Sequence, residues 1–353
     1  MEQIKHPNYN GVDLCKFLCS LLVVAIHVNP LTSVHWLLNY GVVNYIAPIA
    51  VPFFFTVTGF FLVQKSDTQA IMKTIGKMLK LYLLWTIIYA PIAILQDMDG
   101  HTGFAAFGGA CLTVLKNFFC TGSYGHLWYL NATIVALLLI LLLRKCKCST
   151  TAIFAIGVAL YLIGLTAQSY FGLIRPLQNI PTVWNLLKAA QNIMPTTRNG
   201  LFEGLCLIAM GMYIAQKPTR LTLRTSLIGL AASMLFLAAE ILILVKLDFI
   251  RAYNMFLGLL PATYFLLQTA LRLPLPDHPI YKKLRAMSSM IYFSHMLVYT
   301  IAVLPLESSG ILTNSLGLYG LTVLLTIALS AGIITLSKRK RFDKLHYIYH
   351  PTR

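Results

Sequence analysis

"CKFLCSLLVVAIHVNP", residues 15–30, reads as most of a membrane span, yet Lys16 opens it and His27 stands near its far end. A charged or titratable side chain in a lipid-facing helix is costly, and such groups usually turn toward a protein interior or a water-filled cavity. Eleven residues make about three helical turns, so Lys16 and His27 share one face, ~16 Å apart along the axis. Taken alone, Lys16 reads as a snorkelling boundary marker. His27 alone reads as a packing histidine hydrogen-bonded to a neighbouring helix. Together they place a cation at one end of the face and a base able to titrate near neutrality deep in the opposite half.

The whole chain shares this character. It has 353 residues, 58% of them hydrophobic and only 11% charged, against about 25% charged in a soluble domain. A soluble enzyme is excluded. With about 20 apolar residues needed per span, the sequence predicts an all-α polytopic bundle of about ten transmembrane helices, one domain over 1–353. The spans are expected near 13–30, 41–63, 78–96, 127–143, 151–168, 200–216, 223–245, 252–270, 287–305 and 315–337. The first follows polar Met1–Gly11 and lacks a small-residue cleavage pattern, so it is expected to stay as a helix rather than leave as a signal peptide.

The net charge of +17 does not imply nucleic acid, because Lys and Arg gather in alternate connections. With the N-terminus inside, 22 of the 28 fall on the inner side. Only Lys116, Arg175, Lys188, Arg198, Lys246 and Arg251 fall outside. That bias predicts both termini in the cytoplasm, which agrees with an even number of spans. Of seven cysteines, Cys15, Cys19 and Cys206 lie in apolar spans, and Cys146 and Cys148 in a basic inner loop. Cys111 and Cys120 share an outer segment, where a disulfide remains open. No zinc-type ligand spacing occurs, so no metal site is expected.

Two outer segments are long. Residues 97–126 hold a stretch suited to an interfacial helix, and residues 169–199 hold three prolines and Trp184. No inverted repeat of the kind built into many transporters is visible. Several polar residues fall at depths where they need a reason. His126 and Trp128 open the fourth span in "GHLWYLNA", and Glu203 follows Arg198 in "RNGLFEG". A cluster of His27, His126, Arg198 and Glu203 near the outer face is expected, with Glu203 either orienting an imidazole or capping a helix. Glu240 reads as reaching the outer interface. Ser288, Tyr292 and His295, in "SSMIYFSHM", share a helix face. Counting from the start of that span puts His295 ~13 Å in from the cytoplasmic side. That stripe either lines a cavity or hydrogen-bonds between helices. Phe53 to Phe55 read as packing, and the "NAT" sequon at Asn131 falls inside a span and is discounted. Nucleophile elbows, phosphate loops and paired carboxylates of glycosidase type are absent.

"DLCKFLCSLLVVAIH", "VPFFFTVTGFFL", "GHLWYL" and "SSMIYFSHM", in this order across ten spans, resemble the acyltransferase family 3 integral membrane proteins. The nearest look is to the membrane half of the vancomycin-type serine racemases, whose soluble pyridoxal-phosphate domain has no counterpart before Arg353. The resemblance implies acyl transfer, with acyl-CoA (acetyl-CoA above all) as cytoplasmic donor substrate and no bound cofactor. The acceptor would be a hydroxyl or amine of a cell-envelope glycan or lipid-linked molecule. The site would lie in a bacterial plasma membrane, among lipids. The first-span basic residue and His of the family match Lys16 and His27. The wider family generally has arginine where Lys16 stands; lysine offers a point charge instead of a fork. On this reading His27 and Glu203 are catalytic. Lys16, Asp13, Tyr292 and His295 bind the donor, and His126, Trp128 and Arg198 bind the acceptor. The pantetheine arm would span the distance from Lys16 to His27, and His27 would act as general base, with a two-step route through an acyl-enzyme left open. The same resemblance supports a competing reading, an L-serine carrier in which Lys16, His27 and Glu203 hold an amino acid's charged ends. A third, a structural scaffold, would leave these polar groups packed and satisfied.

Overall fold

The computed structural model describes residues 9–63, 68–339, 345 and 347–349. Of the cations counted on the inner side, Lys5, Lys65, Lys340, Arg341, Lys344 and Arg353 lie outside the described residues. Among the described residues there are helices and turns and no strand. Within a bilayer this is one of the few ways to satisfy every backbone N–H and C=O.

Helix α1 covers Asn10–Val28 and ends where Asn29 adopts a left-handed conformation. A helical run from Trp36 to Val63 follows. It begins as α2 (Trp36–Tyr40), passes through a π-turn at Gly41–Ile46 and a 3-10 turn at Ala47–Ile49, and ends as α3 (Ala50–Val63). Pro48 and Pro52, which cannot donate in an α ladder, account for the broken geometry. Next come α4 (Thr68–Met98), α5 (Phe104–Cys120), α6 (Trp128–Lys145) and α7 (Thr150–Leu165). They are followed by α8 (Pro181–Ile193), α9 (Leu205–Gln216, preceded by a π-turn at Gly200–Gly204) and α10 (Leu223–Lys246). The last group is α11 (Leu259–Arg272), α12 (Ile280–Val298), α13 (Leu304–Ser308) and α14 (Ser315–Leu336).

A helix stands in each of the ten segments expected to span. Among the described residues seven helical stretches are long and apolar enough to cross a membrane, with Thr150–Leu165 and Gly200–Gln216 as shorter apolar helices. At 14 residues α11 is shorter still, because residues 252–258, expected inside its span, form turns.

Glycine sets the closest helix contacts. α3 lies against α9 so tightly that a methyl group on Gly59 would overlap the Ile208 carbonyl, and one on Gly211 the Thr56 carbonyl. Without a hydrophobic force between helices in lipid, this close backbone approach is a main source of cohesion. α1 packs on α12, and α10 on α11. The Phe53–Phe55 run is buried as expected, with Phe55 at 4.6 Å from Tyr129. The far end of the chain also joins the core: Trp85 Nε1 donates to the Ile348 carbonyl at 3.2 Å, and buried Tyr349 meets the Ser337 hydroxyl at 2.8 Å.

The expectation for Glu240 is corrected and the open question of a Cys111–Cys120 bond is resolved; the stretch within 97–126 is helical, and α5 packs along α4. Phe118 stacks on Tyr82 with ring centroids 4.4 Å apart, and its carbonyl accepts the Tyr82 hydroxyl. Cys111 and Cys120 are both free. Nine residues along one helix put them ~13 Å apart, beyond the ~7 Å Cα limit of a disulfide. Glu240 does not reach the interface. It is buried and accepts the Leu257 and Gly258 amides, each at 2.7 Å, and the Tyr170 hydroxyl at 2.9 Å. Its carboxylate caps the start of α11, where unsatisfied amides favour an anion. Asn131 uses its amide inside the bundle, donating to the Phe118 carbonyl at 2.8 Å.

Candidate functional site

Three histidines from three elements meet in the half of the bundle around the C-terminal end of α1. His27 comes from the last turn of α1, His126 from the 3-10 turn before α6, and His295 from α12. Ring centroids are 5.2 Å apart for His27–His295, 4.9 Å for His126–His295 and 6.4 Å for His27–His126. Local sequence explains how each is placed. Gly122 holds a φ of +95° and packs directly on the Trp128 backbone, so the chain turns tightly out of α5 and delivers His126 into the core. His295 Nδ1 lies 3.0 Å from the Ile291 carbonyl and 2.9 Å from the Tyr292 carbonyl. Both are acceptors, so in the neutral ring Nδ1 carries the proton and Nε2 presents a lone pair. That Nε2 is buried with no hydrogen-bond partner in the protein, and the buried His126 ring has at most a weak approach to the Phe293 backbone.

Aromatic side chains wall the cluster. Tyr89 and Tyr124 stack at 4.6 Å, and Tyr89 meets the His126 ring edge-on at 4.9 Å. The Tyr89 hydroxyl donates to the Phe293 carbonyl at 2.7 Å and accepts the Leu297 amide at 2.9 Å. An α-helix would ordinarily join those two groups directly, so Tyr89 inserts into the ladder of α12 beside His295. Tyr292 donates its hydroxyl to the His126 carbonyl, tying α12 to the 3-10 turn.

Arg198 and Glu203 arrive together. Asn199 caps the π-turn at Gly200–Gly204, its Oδ1 accepting the Leu201 and Phe202 amides at 2.9 and 3.1 Å. Gly200 lies against the Ala132 carbonyl, where a side chain would clash. Glu203 is therefore carried into the core, 2% exposed, with Oε2 unpartnered. Arg198 sits over the Trp128 ring with its guanidinium carbon 4.6 Å from the centroid, a cation–π arrangement. Its charge acts on Glu203, Tyr292 and His27. His27, His126 and Arg198 fall in one region, with Trp128 under Arg198 and Glu203 within reach of the Arg198 charge.

The residues assigned to the donor divide. Lys16 is partly buried near the opposite end of α1. Asp13, 2% exposed, is held by Arg285, whose Nε and Nη2 meet its two carboxylate oxygens at 2.7 and 2.6 Å. Lys16 lies in the field of both. Tyr292 and His295 stand instead in the histidine layer. The reason is helix length: α12 begins at Ile280, ahead of the apolar stretch that marks the span. His295 is therefore ~22 Å above its start, close to the ~26 Å of His27 above Asn10.

Sequence reasoning missed Arg285, Tyr89, Tyr124 and Asn254. The signal for Arg285 was one polar turn before "SSMIYFSHM"; the tyrosines and Asn254 carried none, since Tyr is ordinary in spans. Chemically, the arrangement offers a lone-pair imidazole among uncompensated polar atoms, with a basic group three turns away along the same helix.

A polytopic helical bundle with a buried layer of titratable side chains defines a class of membrane protein in which intramembrane chemistry or transport takes place. Residues 9–335 match the acyltransferase domain family (acyltransferase 3), and the chain belongs to that family. Similar curated proteins include an amino-acid racemase of Enterococcus faecalis, 29% identical over 266 residues (74% of this chain, 36% of that protein). A second amino-acid racemase of the same organism is 27% identical over 345 residues (95% and 47%). A serine/alanine racemase of Enterococcus gallinarum is 30% identical over 345 residues (94% and 46%). The chain spans less than half the length of these curated relatives. No solved structure is significantly similar.

Proposed function

We propose that the chain transfers an acyl group from a cytoplasmic acyl-CoA, acetyl-CoA above all, to a hydroxyl or amine of a cell-envelope or lipid-linked acceptor at a bacterial plasma membrane. The observation that carries this reading is the meeting of His27 with His126 and His295, above a Lys16 placed ~16 Å away on the same helix face. The nucleotide phosphates stay at the basic end with Lys16, where Arg285 is half exposed beside Asp13. The extended pantetheine arm carries the thioester toward His27. His27 removes the acceptor's proton as its oxygen or nitrogen attacks the thioester carbonyl. The tetrahedral intermediate collapses, the C–S bond breaks, and the imidazolium returns that proton to the departing thiolate. Products are the acylated acceptor and CoA thiol. His295, fixed as the Nδ1–H tautomer, presents its Nε2 lone pair beside His27 as a relay for that proton, and Glu203 and Arg198 set the charge of the acceptor side.

Membranes containing the protein, incubated with radiolabelled acetyl-CoA, test this directly. Label is expected in an envelope or lipid fraction with wild-type protein and not with His27→Ala. Equal labelling in both would overturn the reading.

A serine carrier is the second reading, suggested by the similarity to amino-acid and serine/alanine racemases. Serine uptake into vesicles, unaffected by acyl-CoA and lost in His27→Ala, would favour it. A purely structural scaffold is disfavoured, because packing alone gives no reason to bury His295 Nε2 and Glu203 Oε2 without partners.

A further inference from the structure

Arg198 is held by neutral groups. Its Nη1 donates to Asn254 Oδ1 at 2.9 Å, and its guanidinium lies over Trp128. Asn254 Nδ2 donates to Gln168 Oε1 at 3.1 Å. Gln168 Nε2 donates to the Thr196 and Thr197 hydroxyls at 3.1 and 3.2 Å, and Thr197 donates to the Gly164 carbonyl at 2.8 Å. Residues 164–168, 196–198 and 254, from three separate parts of the chain, are thus spent on fixing one side chain. None of these partners is charged. Among the described residues the ion pairs are Arg175–Asp248 and Asp13–Arg285, so Arg198 has none. Glu203 lies in its field without meeting it.

A guanidinium carries five N–H donors in a rigid fork, of which Asn254 takes one. Anchoring by Asn254 and Trp128 removes side-chain freedom before any ligand arrives, which lowers the cost of binding. An open, immobilised fork matches the two oxygens of a carboxylate or phosphate. We propose that Arg198, stacked on Trp128 and positioned by Asn254 and Gln168, is an oxyanion subsite. The acceptor then carries a carboxylate or phosphate beside the hydroxyl or amine that approaches His27. The pairing with His27 rests on the acyl-transfer reading; binding of the oxyanion does not.

The test is equilibrium binding to the purified full chain in detergent. The probes are radiolabelled L-serine for a carboxylate and radiolabelled inorganic phosphate for a phosphate. Serinol (2-amino-1,3-propanediol), in which the carboxylate is replaced by a neutral alcohol, is the competitor. Wild-type protein is expected to bind at least one probe, and serinol to compete poorly. Binding of serine alone identifies a carboxylate acceptor, and of phosphate alone a phosphorylated one. Arg198→Gln should weaken binding at least about tenfold, the size of one charge-assisted hydrogen bond, and Arg198→Lys should fall between. Asn254→Asp keeps the arginine but places a carboxylate against it, and should weaken binding comparably, so a folding defect in one variant does not decide the matter. No binding of either probe by wild type, equal binding by both variants, or full competition by serinol would overturn the subsite. Acetyl transfer is measured on the same preparations. Transfer without Arg198-dependent binding removes the subsite and leaves the acyl-transfer reading. Arg198-dependent binding without transfer does the reverse.

Discussion

His27 and His295 stand with ring centroids 5.2 Å apart, although one lies in the first helix and the other near the end of the chain. α1 and α12 pack side by side, and each carries its histidine a similar distance from its start, ~26 and ~22 Å. The two imidazoles thus meet in one layer, and His295, fixed through Nδ1, points a lone pair into it.

If His27 is the base, His27→Gln should be nearly as inactive as His27→Ala, because an amide keeps volume and hydrogen bonding but cannot accept a proton in turnover. Loss of a general base typically costs about 10²–10⁴-fold. A His295→Phe variant keeps a ring and removes the lone pair; it should insert normally yet lose activity, with a smaller loss than His27→Gln. Acetyl transfer by membranes with matched protein levels measures all three. A His27→Gln variant with most of its activity would reduce His27 to a packing or binding group.

The α3–α9 contact makes a prediction about stability. Gly59→Ala places a methyl group on the Ile208 carbonyl, and backbone cannot step aside as a flexible side chain can. Overpacking of this kind costs about 1–3 kcal/mol. Gly76→Ala, in α4 with open space around it, should instead be neutral or gain up to about 1 kcal/mol from reduced chain entropy. Thermal unfolding in detergent should rank Gly76→Ala at or above wild type and Gly59→Ala below it.

Much of this was legible in the sequence. Apolar length located a helix in each of the ten expected spans but not α8, which lies in the proline-bearing segment 169–199, and the eleven-residue spacing of Lys16 and His27 put both on one face without any tertiary knowledge. "GHLWYL" and "RNGLFEG" announced His126, Arg198 and Glu203 because polar residues at that depth are expensive. What failed was depth in α12: a hydropathy-based start ignores the polar turns from Ile280, so His295 was set too near the basic end and grouped with the wrong partners. Glu240 failed for a related reason. Nothing in a one-dimensional pattern reveals that α11 begins late and that its free amides need a carboxylate from α10. Asn254 was invisible because its role lies in what Arg198 does, not in its own chemistry.

Topology follows from charge. The 22-to-6 division of Lys and Arg predicts both termini in the cytoplasm. A reporter active only outside the cytoplasm, fused after Arg353, should be silent, and one fused within 97–103, between α4 and α5, should be active. The reverse pattern would invert the site and place His27 nearer the cytoplasm than Lys16.

The basic end offers a sharper test than Lys16 alone. Asp13 is buried and paired with Arg285 through two hydrogen bonds, and Lys16 shares their field. Arg285→Ala should be destabilising, because it strands a buried carboxylate; with Arg285 itself half exposed, the loss is on the order of 1–3 kcal/mol. Adding Asp13→Asn to Arg285→Ala should recover part of it, since the stranded charge is then gone. Lys16 should behave differently. If it holds a donor phosphate, Lys16→Ala should leave unfolding almost unchanged but weaken acyl-CoA binding by about 1.5–3 kcal/mol, while Lys16→Arg keeps or improves it. Unfolding curves and acyl-CoA titrations on the same four variants separate a structural ion pair from a ligand-binding cation. Equal donor affinity in wild type, Lys16→Ala and Lys16→Arg would show that Lys16 only marks where the membrane begins.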